Sequence, residues 1–166
     1  KAQLVDYFEV MRSQLRILKD DEDIKNALIE FDKAFEGGGD KTDTQEWDAV
    51  AEKYDARMGK ILQDNEWYDI FLIQTDGDIV YTYGGESDLG MPSPDSDLKN
   101  QGIGIAFKKI QTVGSQDIVF IDFAPYSPSG GDPSGFMIAQ MRTRVDSKII
   151  GYIAFLIPLN KINAIM

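Results

Sequence analysis

Asp117-Ile-Val-Phe-Ile-Asp-Phe-Ala-Pro-Tyr126 is a β-forming run that carries a single internal acid, Asp122, among large apolar residues. It stops at Ala124-Pro125-Tyr126 and enters Ser127-Pro-Ser-Gly-Gly-Asp-Pro133, a loop too rich in Pro and Gly to be helical. Beyond the loop, residues 135–143 read as the returning strand, with Gln140 and Arg142 among apolar neighbours. The pair forms a hairpin whose face is a candidate surface for a small polar molecule.

Working outward, residues 148–158 are apolar almost without interruption, as expected of a central strand covered on both faces. Upstream, residues 68–74 and 78–83 are two further strands, joined at Asp76-Gly77, a strong signal for a tight hairpin. An irregular connection over 84–95 leads to a helix capped by Ser96 or Asp97, with apolar positions Ile103, Ala106, Phe107 and Ile110. Gly102 and Gly104 each weaken that helix by about 1 kcal/mol relative to Ala, which points to close packing or a loosened turn.

The N-terminal third is helical. Leu4, Tyr7, Phe8, Met11, Leu15 and Leu18 recur at 3–4 spacing along a first helix over 3–19. Asp20-Asp21-Glu22-Asp23 breaks the pattern and supplies caps for a second helix, with its stripe at Ile24, Ala27, Leu28, Phe31 and Phe35. The acidic run lacks the spacing and the Gly of an EF-hand loop. After Gly37-Gly38-Gly39, an Asp43 cap and Glu46 resemble a capping box for a third helix that ends near Asp64-Asn65. Residues 159–166 begin a helix leading out.

The order helices–ββ–helix–βββ, with short hairpin links, gives an α+β fold: a five-stranded antiparallel sheet with helices packed on it. The chain divides into a helical segment over 1–65, a sheet domain over 66–158 and the start of an exit helix over 159–166.

Composition narrows the chemistry. Twenty-eight acids against seventeen bases give a net charge of −11, which disfavours nucleic acid and anionic lipid surfaces as partners. There is no cysteine and no histidine, so Ser-His-Asp and Cys-His catalysis and the zinc motifs are excluded. No pair or motif of carboxylates singles out a catalytic site, and neither an enzyme, a cofactor nor a metal is expected. No run of 18 apolar residues is present to span a bilayer. The chain starts at Lys1 already in helical pattern and reads as an excised piece of something longer.

The element order and several phrases resemble the Cache domains, PAS-like extracytoplasmic sensor modules of bacterial methyl-accepting chemotaxis receptors and of membrane-bound cyclases and kinases. Trp67-Tyr-Asp-Ile-Phe-Leu-Ile73, Asp76-Gly-Asp-Ile-Val-Tyr81 and Glu86-Ser-Asp-Leu-Gly90 are similar to the first half of such a module. Asp122-Phe-Ala-Pro-Tyr-Ser-Pro-Ser129, Ile149-Ile-Gly151 and Leu159-Asn-Lys-Ile-Asn-Ala-Ile-Met166 are similar to the second. The likeness covers nearly the whole chain, and the Asp-Phe-Ala-Pro-Tyr phrase is its most specific part. Gly85 and Met91 depart from the pattern, so ligand specificity does not carry over.

The resemblance implies a periplasmic domain that binds a small ligand, such as an amino acid, amine or carboxylate, and passes a conformational change to a cytoplasmic signalling region. It also implies a homodimer through the first helix, with membrane contact only through segments outside this chain. Alternatively, the domain is a structural spacer or dimerisation module of the receptor, or the sensor domain of a membrane-bound cyclase or histidine kinase.

Candidate ligand residues come from the hairpin and its neighbours. Strand alternation sets Ile118, Phe120 and Asp122 on one face and Val119, Ile121 and Phe123 on the other. A buried Asp122 needs a partner, either loop amides near Ser127 and Ser129 or the ammonium or hydroxyl of a ligand. Tyr126 either offers its hydroxyl to a ligand or caps the core. Tyr81 and Tyr83 share a face, as do Phe136, Gln140 and Arg142. The guanidinium of Arg142 suits a carboxylate, or simply ends a strand.

Overall fold

The computed structural model of the chain describes residues 2–165. Three helices come first: α1 (Ala2–Lys19), α2 (Glu22–Gly37) and α3 (Gln45–Asn65). The hairpin β1 (Asp69–Ile73) and β2 (Ile79–Thr82) follows, then α4 (Gly102–Ile110). The strands β3 (Ile118–Pro125), β4 (Pro133–Arg142) and β5 (Ile149–Pro158) complete one antiparallel sheet of order β2-β1-β5-β4-β3, and α5 (Leu159–Ile165) leads away. Met166, the last residue of the expected exit helix, lies outside the described residues.

The nearly unbroken apolar run of β5 is central because both its faces are covered. Ile153, Phe155 and Ile157 join the core under α1–α3, whereas Tyr152, Ala154 and Leu156 join the core under α4. The sheet is therefore the middle of three layers, and residues 2–65 share one core with it rather than standing apart. Trp47 ties α3 to the sheet by donating its indole N–H to the Val80 carbonyl at 2.8 Å. Trp67 stacks on Phe155 where α3 gives way to β1.

Two helix starts differ from the sequence reading. Thr44, not Asp43, caps α3, with its Oγ1 accepting from the Trp47 amide at 3.1 Å. The fourth helix begins only at Gly102. Ser96 instead accepts from Leu98 N within a turn, and Gln101 flanks the helix without a side-chain cap. Gly104 explains the crowding: a Cβ there would sit 2.2 Å from the Leu98 carbonyl oxygen.

The hairpin β3–β4 holds the main departure. A register shift between Ile121 and Ala124 inserts a bulge. It puts Phe123 with Ile118 and Phe120 on the α1 side and turns Asp122 out to solvent.

Candidate functional site

On β1, alternation aims Asp69, Phe71 and Ile73 toward the α4 side, opposite Ile70 and Leu72. An acid there has no water to charge it. Asp69 is fully buried, and its Oδ1 accepts three backbone N–H groups: Ile70 at 2.8 Å, Tyr83 at 3.0 Å and Gly84 at 3.0 Å. The carboxylate thus stands in for a ladder acceptor where β2 ends. Its Oδ2 is buried without a partner. Gly84 makes the closure possible, because a Cβ there would lie 2.8 Å from that oxygen.

A second acid closes on the first from the irregular connection between β2 and α4. Asp88 is buried, and its Oδ2 accepts from the Tyr126 hydroxyl at 2.8 Å. Its Oδ1 has no partner, and neither does the buried Oγ of Ser129 in the turn just after Tyr126. The Tyr126 ring stands edge-on to Phe136 at 4.9 Å, and Phe136 leans on Phe71 at 6.0 Å. These rings form an apolar wall beside the two acids.

The electrostatics follow from this placement. Burial pushes the Asp69 carboxyl up to about 7, the amides of Gly84 and Ile70 pull it back, and the charges of Asp88 and Glu86 push it further up. Burial also pushes Asp88 up to about 6, against the stabilising Tyr126 hydrogen bond and with Glu86 adding repulsion. Tyr126 itself is raised, first by burial and then by Asp88. Among the described residues, no ion pair reaches Asp69, Glu86 or Asp88. Such a cluster suits a hydrogen-bond donor that carries positive charge, or protons. Among the described residues, no group of acids has the arrangement of a metal site.

Of the residues singled out in the sequence, Tyr126 and Phe136 belong to this cluster and the others do not. Asp122 is exposed on the bulge and accepts only from its neighbour Phe123 N, so it needs no buried partner. Tyr81 and Tyr83 do share a face, but it is the α3 face. Tyr81 donates to Asp55 Oδ1 at 2.8 Å, and Tyr83 lies half-exposed over Gly59. Gln140 and Arg142 sit at the far end of the sheet. Gln140 donates to the carbonyls of Ile110 and Val113, while Arg142 donates to Gln140 Oε1 and the Ser147 carbonyl.

Asp69, Glu86 and Asp88 were not among the candidates. Their signals are visible in retrospect: an acid opening the apolar run Asp69-Ile-Phe-Leu-Ile73, and two acids in Glu86-Ser-Asp88 beside a Gly-Gly turn.

No family model matches the chain, and no curated protein matches it. Solved structures do. The sensor domain of E. coli DcuS superposes with a TM-score of 0.63 at 11% identity, over 99% of this chain and 98% of that one. The sensor domain of the V. cholerae histidine kinase DctB gives 0.58 at 14% identity, over 99% of this chain and 56% of that one. The ligand-binding domain of the Pseudomonas aeruginosa PAO1 amino acid chemoreceptor PctC, solved in complex with GABA, gives 0.57 at 11% identity, over 99% and 60%. The chain therefore spans the whole of one neighbour and little more than half of the other two. Its fold is the PAS-like fold of Cache sensor domains. No described helix is long and apolar enough to cross a membrane.

Proposed function

We propose that the chain is the small-ligand sensor domain of a transmembrane receptor, lying outside the inner membrane, and that its ligand presents an ammonium or similar cationic donor to Asp69, Asp88 and Tyr126. One observation carries the reading. Two buried carboxylates lie beside one aromatic wall, each with an oxygen left unpartnered. Buried charge without a partner costs several kcal/mol, and a cationic ligand removes that cost. The fold shared with sensor domains of a chemoreceptor and of histidine kinases supports the sensing role.

The covering segment between Thr82 and Gly102 is the part that can open. It contains no helix or strand, and Gly85 and Gly90 adopt positive φ within it. Ligand closure of this segment would move β1 and β5, whose continuation is α5, and so reach the signalling region of a receptor such as a chemotaxis receptor. A ligand transmits only through different affinities for the open and closed forms. No catalytic step is part of this reading. Homodimerisation is proposed along the outer side of α1, where Val5, Val10 and Ile17 are exposed.

A thermal-shift screen against amines, amino acids and simple carboxylates tests the proposal. An amine-bearing compound should raise the melting temperature, and Asp88→Asn should remove that rise while preserving the fold. If no cationic compound shifts it, the second reading gains. Asp69, Asp88 and Tyr126 are all inaccessible to solvent, which favours a spacer whose pocket stays closed.

A further inference from the structure

At the opposite end of the sheet, about 20 Å along β5 at the usual rise per residue, the electrostatic character reverses. A cavity of ≈ 400 Å³ lies between the α1–α2 corner and the β4–β5 turn, and four of its lining residues are Lys19, Lys25, Arg142 and Arg144. Asp20 is the single carboxylate in that lining. The chain has only 17 basic residues against 28 acids, so gathering four of them round one hollow runs against its overall balance.

The two lysines are the telling members. Their side chains are 3% and 8% exposed. Lys19 is satisfied in part, reaching Asp20 at 3.3 Å and Gln116 Oε1 at 3.0 Å. Lys25 reaches only Glu22, at 4.0 Å, too far for a hydrogen bond. The stem is nearly buried, and the ammonium meets the cavity with no strong acceptor, a position for which an anion has the right charge.

The surrounding groups are fixed rather than loose. Arg142 is clamped by Gln140 Oε1, at 3.0 and 2.8 Å, and by the Ser147 carbonyl at 2.7 Å. Gln140 is fixed in turn to the end of α4. Arg144 is exposed at the mouth and forms no ion pair among the described residues. The nearby acid Asp146 is engaged by Thr143 Oγ1 and Lys148 N.

We propose that this cavity is a second site, specific for a compact, doubly charged oxyanion (inorganic phosphate or a small dicarboxylate), held between Lys25, Lys19 and the guanidinium groups of Arg142 and Arg144. A bound oxyanion would pin the α1–α2 corner to the β4–β5 turn. This site is separate from the acidic cluster and takes the opposite charge.

Calorimetric titration of the full chain with phosphate, succinate and acetate, at matched ionic strength, tests it. Phosphate or succinate should bind saturably, with one per chain, and acetate at least tenfold more weakly. Phosphate alone, or succinate alone, identifies which source of the shared chemistry the cavity selects.

Lys25→Met keeps the apolar stem, and Arg144→Ala lies at the surface, so both variants should fold. Each should weaken binding about tenfold or more, as expected for losing one charge-assisted contact. Asp88→Asn should leave the titration unchanged, which separates this site from the acidic cluster. No saturable binding up to about 10 mM, or affinity unchanged in both variants, would overturn the proposal.

Discussion

Removing one charge from the buried acidic cluster should make the protein more stable at pH 8 and no more stable at pH 5. The variant is Asp69→Asn. Unfolded, Asp69 titrates near 3.8, and folded it titrates near 7. Between those values the folded chain holds the extra proton, so stability falls as pH rises through that window and levels off above it. At about 1.36 kcal/mol per pH unit, this group alone accounts for a loss of up to about 4 kcal/mol by pH 8. Asp88, raised to about 6, and Asp78, also raised to about 6, tilt stability the same way. Glu30 and Asp146 are lowered, so they tilt stability the opposite way, at the acid end of the range and below it.

Asparagine keeps an Oδ1 for the amides of Ile70, Tyr83 and Gly84. It drops the repulsion from Asp88 and Glu86 and introduces a donor beside them. The carboxamide should therefore recover part of the loss, about 1–3 kcal/mol at pH 8. For a chain of this size each kcal/mol moves the melting temperature by about 2–4 °C. Thermal melts of wild type and variant at several pH values measure both quantities. A wild-type melting temperature that stays flat from pH 5.5 to 8.5 would falsify the reasoning. So would an Asp69→Asn penalty equal at both ends of the range, because the residue would then act only as a backbone clamp.

Tyr126→Phe removes the hydroxyl that donates to Asp88 Oδ2, and should cost about 1–3 kcal/mol in urea unfolding at neutral pH. The penalty should shrink at pH 5, where Asp88 takes up a proton. Asp122→Ala, in contrast, should stay within about 0.5 kcal/mol of wild type and leave any ligand response intact, since the residue is exposed on the bulge. Gly104→Ala should destabilise by about 1–3 kcal/mol despite its better helix propensity, because its Cβ meets a backbone carbonyl at 2.2 Å. For any amine that raises the melting temperature, affinity measured by calorimetry should weaken below about pH 6, where protons compete for Asp88 and Asp69. An affinity that strengthens on acidification would remove the ammonium from the proposal.

The fold was legible because its signals are periodic and local. The apolar run ending in Ile149–Pro158 marks a doubly covered strand, Asp76-Gly77 marks the first hairpin, and three 3.6-period stripes mark the helices. The site was legible only in part. Tyr126 and Phe136 stood out because they sit in a distinctive phrase. Asp69 and Asp88 did not, because nothing local shows that Gly84 folds back onto one and that Tyr126 reaches the other across 38 positions of chain. Asp122 stood out for the wrong reason. Strict alternation predicts an inward acid, but one bulge between Ile121 and Ala124 changes the side on which every later residue of β3 falls.

That bulge also has an energetic logic. A strand of strict alternation would carry Asp122 on the face of Ile118 and Phe120, into the apolar layer beneath α1. Burying that carboxylate unpaired would cost several kcal/mol. The bulge substitutes Phe123, which packs edge-on against Phe120 at 6.0 Å and so extends the contact of Phe120 with Phe8 of α1. An exposed acid and a packed ring thus replace an acid buried beneath α1. The same exchange carries the chain through Ala124 and Pro125 to Tyr126, whose hydroxyl then meets Asp88. If Asp122 keeps the bulge by staying in water, and the bulge positions Tyr126, then Asp122 bears on the acidic cluster through geometry alone. Asp122→Leu therefore tests the link. If the apolar side chain draws β3 back into regular register, the Tyr126–Asp88 hydrogen bond should be lost and the Tyr126 hydroxyl proton should exchange faster by NMR. An unchanged exchange rate in a folded Asp122→Leu variant would show that Pro125 and the loop after it set the position of Tyr126 without help from the acid.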